Sequence, residues 1–248
     1  EYNPFHNGHL YHLQKSLKIT NADIAIAVMS GNFVQRGIPA ITDKYKRCRA
    51  AVDSGVNLVV ELPLFYAVSS AEIFAAGAVA TLNALNASFI SFGCENADIQ
   101  MLKKIAITLV NEPDEYKKHL KKALTCGDSF PTARAKALSE FFKSDDISRL
   151  ISSPNNILAI EYIKEIIKSE SAVTPVALTR KISGYHDSEI HENIASASAI
   201  RKILHDSGIQ KNNDSRCKNI KELQNVMPET MYNILASENQ NNTLIYAD

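Results

Sequence analysis

The chain has 248 residues, 45% hydrophobic and 22% charged, with a formal net charge of +0 and a pI near 7.3. Those values describe a globular protein long enough for one large α/β domain, with or without an appendage. They exclude a global pull toward nucleic acid or anionic membrane, so any nucleic-acid site must be a local patch. Cys48, Cys94, Cys126 and Cys217 are far apart and form no C-x-x-C pair. That spacing argues against a zinc ribbon or a disulfide framework and fits reduced thiols. No apolar run reaches transmembrane length, so a cytoplasmic location with no membrane is expected, and no protein partner is predicted.

The first stretch, Glu1-Tyr2-Asn3-Pro4-Phe5-His6-Asn7-Gly8-His9-Leu10, places two histidines on either side of an Asn-Gly pair. Leu10, Leu13 and Leu17 follow at helical spacing. The pattern predicts a tight loop that opens a helix, with Pro4 stiffening the entry and Gly8 permitting a close turn. The free N–H groups and positive dipole end of such a helix suit a phosphate. Two imidazoles beside it can donate to phosphate oxygens as charge builds up there. In a doubly wound fold such a loop follows a strand, so a short apolar strand is expected to precede Glu1, and the C-terminal end from Asn239 to Asp248 reads as cut.

Strand–helix alternation follows. Asp23 to Met29, Asn57 to Pro63 and Ser88 to Gly93 read as buried strands. Between them lie a glycine-bracketed loop, Gly31 to Gly37, and a basic helix capped by Thr42 and Asp43, with Lys44, Lys46, Arg47 and Arg49. Its inner face is expected to be Tyr45, Cys48, Ala51 and Val52. Ser69 with Glu72 reads as a capping box opening a helix from Ile73 to Leu85. Alternation at this interval predicts a parallel sheet with right-handed crossovers. From about 97 to 170 the pattern is helical alone, predicting an all-helical insertion over Met101–Val110, Asp114–Leu124, Thr132–Phe142 and Asn156–Ile167. Lys117, Lys118, Lys121, Lys122, Arg134 and Lys136 cluster there, as a solvated face or as a surface that tracks RNA phosphates. Thr174 to Arg180 then reads as an edge-like strand, followed by a loop with Gly184-Tyr185-His186-Asp187. A helix opened by Ala195-Ser196-Ala197-Ser198-Ala199-Ile200-Arg201 comes next, and His205 to Asp248 reads as polar and irregular.

His6-Asn7-Gly8-His9 resembles the H-x-G-H signature of the nucleotidyltransferase superfamily, and Ser196 to Arg201 resembles its I-S-S-T-x-I-R motif. Ala195 and Ala197 depart from that motif, and Ser198 stands where Thr is usual. Together with Gly31-Asn32-Phe33-Val34-Gln35-Arg36-Gly37, Pro154-Asn155-Asn156-Ile157-Leu158 and Gly184 to Asp187, these stretches are similar to the bacterial tRNA(Met) cytidine acetate ligase family over about Glu1 to Arg201. The resemblance implies a Rossmann-like nucleotidyltransferase domain (1–205, with the insertion at about 97–170) and the start of a C-terminal region (206–248). It also implies an activity. Acetate and ATP, with Mg²⁺, would form acetyl-adenylate, and the acetyl group would pass to N4 of the wobble cytidine in elongator tRNA(Met).

It assigns catalysis to His6, His9 and Arg201, which would meet charge on the departing pyrophosphate. Nucleotide contacts map onto the whole of Glu1 to Leu10 (Glu1, Tyr2, Asn3, Pro4, Phe5, His6, Asn7, Gly8, His9, Leu10) and onto Gly93, Asn155, Arg180, Ser196 and Ser198. No protein metal site is implied: His6 and His9 fit zinc spacing poorly. Gln35 and Arg36 lie on a loop that could hold acetate or close over the site, and Glu61 at a strand end receives no role. Two other readings stay open: an adenylyltransferase acting on a small phosphorylated metabolite, and a non-catalytic nucleotide- or RNA-binding module.

Overall fold

The structure is a computed structural model that describes residues 1–180, 193–209 and 220–246. The chain divides into two compact units, residues 1–81 with 180–248 and residues 82–179. Gly184 to Asp187 lies outside the described residues.

The first unit opens with α1 (Asn7–Thr20), followed by β1 (Ile26–Ser30), α2 (Lys44–Asp53) and β2 (Leu58–Leu62). β1 and β2 pair in parallel from Ile26 opposite Leu58 to Ser30 opposite Leu62. A parallel pair needs a crossover, and α2 lies on it. β2 is less buried than its apolar sequence predicts, because it pairs only with β1 among the described residues and leaves Leu58 and Glu61 exposed. A short helix, α3 (Leu64–Ala67), precedes α4 (Ala71–Ala84), which carries the chain out of this unit. α4 is capped by the Ser70 hydroxyl, which accepts from the Ile73 N–H at 3.5 Å. Ser69, expected in that role, donates to the Phe65 carbonyl instead, since the turn of α3 has already claimed it.

α2 turns a different face inward from the one its apolar residues predict. Tyr45 and Val52 are exposed, while Arg47, Ala50 and Ala51 are buried. Arg47 wins the inward position because its guanidinium satisfies backbone carbonyls that no apolar side chain could reach.

The second unit holds β3 (Phe89–Cys94) and β4 (Thr174–Thr179), paired in parallel from Phe89 opposite Thr174. Their crossover is the helical insertion itself: α5 (Ile99–Asn111), α6 (Asp114–Thr125), α7 (Phe130–Phe142), α8 (Asp146–Leu150) and α9 (Pro154–Lys168). α8 is too short to show a helical period in sequence. α9 packs on β3 and β4, α5 on α9, and α6 on α7. Asp98 caps α5 by accepting from the N–H groups of Gln100 and Met101, both at 3.1 Å. Glu161 on α9 is buried and takes Arg134 at 3.4 Å and Lys164 at 2.5 Å, so two of the insertion's cations serve an internal ion network.

The chain returns to the first unit with α10 (Ala197–Ile209) and ends in α11 (Glu229–Gln240). The segment after His205 is therefore not irregular throughout. Leu223, Val226, Met231, Leu235 and Leu244 join Phe5, Leu13, Ala50, Ala195, Ile200 and Leu204 in one core cluster. The sequence hides this because polar residues such as Asn233, Ser237 and Asn239 dilute the apolar period of α11. The core matters for function because it sets the starts of α1 and α10 beside each other.

Candidate active site

α1 begins at an imidazole. His6 is its N-cap, in extended conformation, and its Nδ1 accepts from the Gly8 N–H at 3.0 Å. The His6 N–H in turn donates to Nδ1 of His9 at 3.3 Å. This is a capping box built from two histidines in place of the usual Ser and Glu. The rings lie 3.8 Å apart between centroids, with Tyr2 edge-on to His9 at 4.9 Å. Gly8 is required for closeness: a Cβ there would sit 2.8 Å from His6 Cε1.

Burial pushes the His6 pKa down to about 3, with the cations of Arg180 and Arg201 adding to the effect. Burial, then the adjacent His6, holds His9 well below the usual imidazole value. Both rings are therefore neutral near pH 7. A neutral imidazole that accepts at Nδ1 carries its proton on Nε2, so each ring keeps one N–H donor. Among the described residues neither Nε2 has a hydrogen-bond partner.

The low His6 pKa has a consequence for stability. Between pH 6.5 and about 3 the unfolded chain holds a proton that the folded chain refuses, so the contribution is complete above 6.5 and is lost as pH falls toward 3. The loss is about 1.4 kcal/mol per pH unit crossed. Urea denaturation at pH 7 and pH 5 should show wild type losing roughly 2 kcal/mol more than His6→Asn, which keeps a capping side chain but does not titrate. Coincident losses would contradict the buried neutral state.

The loop before α1 is held by Arg47, which is fully buried. Its Nη1 donates to the Glu1 carbonyl at 2.8 Å and to the Ser30 carbonyl at 3.2 Å, its Nε to Thr42 at 3.2 Å, and its Nη2 to Ser30 and Gly31. One cation thus ties the start of the loop to the carboxyl end of β1. Asn3, also buried, accepts from the Ile41 N–H at 2.8 Å, and the Asn3–Pro4 bond is cis. Phe5 is fully buried and Leu10 packs against the core.

α10 starts alongside. The Asn7 side chain donates to the Asn193 carbonyl at 2.9 Å and to Asn225 at 2.8 Å, and Ile194 lies next to Gly8. Ser196 accepts from the Ala199 N–H at 3.0 Å, as an N-cap does. Arg201 donates to the Asn3 carbonyl at 2.7 Å and to Ser198 Oγ at 3.3 Å. Two helix N-termini, two imidazole donors and the fields of Arg180 and Arg201 therefore meet at one place. Each of these attracts anions, and their sum suits a polyphosphate.

Beside it, the loop after β1 makes a small antiparallel bridge, Phe33 with Pro39, anchored by buried Val34. The Gln35 N–H donates to Glu1 Oε1 at 3.0 Å, and Arg36 is exposed with φ of +72°. Glu61, which the sequence leaves without a role, pairs with Lys44 at 2.6 Å and lies where a side chain on Gly31 would go.

Of the residues picked from sequence, His6, His9, Arg180, Ser196, Ser198 and Arg201 gather with the Glu1–Leu10 loop in the first unit. Gly93 and Asn155 belong to the second. Gly93 lies within β3, opposite Leu178, and does not terminate it. The Asn155 amide donates to Glu95 Oε1 at 2.7 Å, and Glu95 Oε2 accepts from the Asn156 N–H. Asn156, almost fully buried, answers by accepting from the N–H groups of Glu95 and Asn96 and donating to the Leu150 carbonyl. Sequence reasoning missed Arg47 and Asn156, and it named Asn3 and Asn7 as nucleotide contacts without their bonds to Ile41, Asn193 and Asn225. The signal for Asn156 was its place in Pro154-Asn155-Asn156. Arg47 was masked by three neighbouring cations, Lys44, Lys46 and Arg49, none of which is buried.

The whole chain, residues 1–248, matches the family described as HIGH Nucleotidyl Transferase. It is 44% identical over 250 residues to a tRNA(Met) cytidine acetate ligase of Clostridium novyi (strain NT), covering 100% of this chain and 60% of the relative. It is 50% identical over 211 residues to a protein of the same name from Thermoanaerobacter sp. (strain X514), covering 85% and 53%. Among solved structures it resembles Thermotoga maritima TmcAL bound with alpha-thio ATP, with a TM-score of 0.85 and 37% identity over 98% of this chain and 55% of that one. The apo form of that protein gives a TM-score of 0.87. The chain thus spans between 53% and 60% of the length of these relatives.

Proposed function

The chain belongs to the HIGH nucleotidyl transferase family, and from that premise we propose that it carries the acetate-activating site of a tRNA(Met) cytidine acetate ligase. The observation that carries this reading is the paired start of α1 and α10, where His6, His9 and Arg201 converge. A carboxylate oxygen of acetate attacks the α-phosphorus of ATP. The bond to the β-phosphate oxygen breaks, and pyrophosphate leaves with the electron pair. Negative charge grows on that leaving group. The two Nε2–H donors, Arg201 and the helix N-termini would meet that charge from positions the fold has already set, which limits the reorganisation needed as it develops. In the second step the exocyclic amine of the wobble cytidine attacks the acyl carbon, AMP departs, and the amine loses a proton.

The residue roles proposed here are those that the family resemblance implies. Ser196, Ser198 and Arg201 hold the β- and γ-phosphates, and Arg180 adds positive potential beside His6. The Glu1–Leu10 loop brings backbone against the triphosphate. Mg²⁺, which the resemblance implies, would accompany ATP and supply positive charge to its phosphates; among the described residues no group of three or more His, Cys, Asp or Glu could hold a metal. Among them also, no helix is long and apolar enough to cross a membrane. The relatives' names, which specify a tRNA substrate, support this reading over transfer to a small metabolite. The test is exchange of labelled pyrophosphate into ATP. Exchange that requires added acetate is expected; exchange indifferent to acetate would sink the assignment.

A further inference from the structure

We propose that the outer face of α6 docks the phosphate backbone of a structured RNA, presented by Lys117, Lys118, Lys121 and Lys122. The RNA's identity rests on the functional reading above; the surface rests on its own geometry. At about 100° per residue these four positions span an arc of roughly 140° on one side of the helix. Tyr116 and Ala123, the buried residues of α6, lie on the opposite side and seat it against α7. All four lysines are exposed.

Their surroundings separate them from Arg134, Lys136 and Lys168 of the same insertion. Arg134 is paired with Glu161, Lys136 with Asp128 at 2.8 Å, and Lys168 with Glu165 at 3.2 Å. Among the described residues none of the four α6 lysines forms an ion pair. The acidic residues of α6, Asp114 and Glu115, are confined to its first turn, where they suit the dipole. Lysines at i,i+4 repel one another, so the fold gains nothing from the arrangement. The chain's net charge of +0 means the patch is not a by-product of a basic protein. A membrane-surface helix would set several large apolar residues beside its lysines; on α6 Leu124 is the one exposed large apolar side chain, while Tyr116 and Ala123 are spent on the packing against α7. A row of ammonium groups on flexible stems along one helix face, with no acids between them, fits a run of phosphates.

The test is fluorescence anisotropy with labelled elongator tRNA(Met) between 50 and 200 mM KCl, on this chain and on the quadruple variant Lys117→Gln, Lys118→Gln, Lys121→Gln and Lys122→Gln. Each phosphate contact contributes about 0.7–0.9 to the slope of log affinity against log salt. The variant should therefore bind roughly 10- to 100-fold more weakly at 100 mM, with a slope shallower by about 3. The quadruple Arg variant should restore both, and the exposed control Lys15→Gln with Lys18→Gln should change neither. Circular dichroism of the Gln variant should match wild type. Unchanged tRNA affinity and slope in the Gln variant would overturn the proposal. So would loss of binding to phosphatidylserine vesicles with tRNA binding intact, which would assign the face to membrane. Acetate-dependent pyrophosphate exchange should persist in the variant. Its absence from wild type would instead defeat the functional reading, whatever the anisotropy shows.

Discussion

His9→Ala is expected to slow acetate-dependent exchange of pyrophosphate into ATP by about 10²- to 10³-fold, the usual cost of removing one preorganised donor. ATP affinity should fall only a few-fold. The difference arises because the Nε2–H of His9 meets most of its charge when pyrophosphate begins to leave, not when ATP first binds. His9 also closes the capping box with His6, so the substitution costs stability of about 1 kcal/mol. His9→Asn separates the two effects, since a side-chain amide can still donate toward the phosphates. It should recover part of the rate. Equal losses in binding and rate for His9→Ala would reduce the residue to a binding contact.

The second large effect is on stability. Arg47→Ala should cost about 3–5 kcal/mol, because it leaves the carbonyls of Glu1, Ser30, Gly31 and Thr42 without their buried donor. For a chain of this size that is a fall in melting temperature of roughly 10 °C. Arg47→Lys should recover little, since one ammonium cannot span carbonyls that five guanidinium N–H groups reach in a plane. The midpoint of urea denaturation measures both. A loss below about 1 kcal/mol for Arg47→Ala would mean that water replaces the guanidinium without penalty. Because Arg47 ties Glu1 to the end of β1, the loop before α1 should loosen with it, and exchange activity should fall even where the protein stays folded.

The contrast between His9 and Arg47 shows where the sequence could be read. His6, Gly8 and His9 sit within four residues, so their chemistry depends on local helix geometry that spacing encodes. Ser196 and Arg201 were legible for the same reason, as the opening of a second helix. Parallel pairing followed from strand–helix alternation, and the insertion from a change of period near Ala97. Long-range satisfaction of backbone groups is not encoded that way. Arg47 lies among Lys44, Lys46 and Arg49 in sequence, yet it alone turns inward to meet carbonyls from three other stretches. Asn156 likewise looks like a polar residue at a helix start, and its four partners come from the Glu95–Asn96 turn and from Leu150. α11 went unread because its buried residues are diluted by polar neighbours. The core contacts that bury Met231 and Leu235 come from α2 and from elsewhere in the first unit.

The most direct test of the site is the position of the triphosphate in a crystal of this chain grown with a non-hydrolysable ATP analogue. The phosphates should lie between the starts of α1 and α10, within hydrogen-bond distance of Nε2 of His6 or His9 and of the Arg201 guanidinium. A triphosphate bound away from both helix N-termini, with His6 and His9 still stacked and uncontacted, would contradict the account.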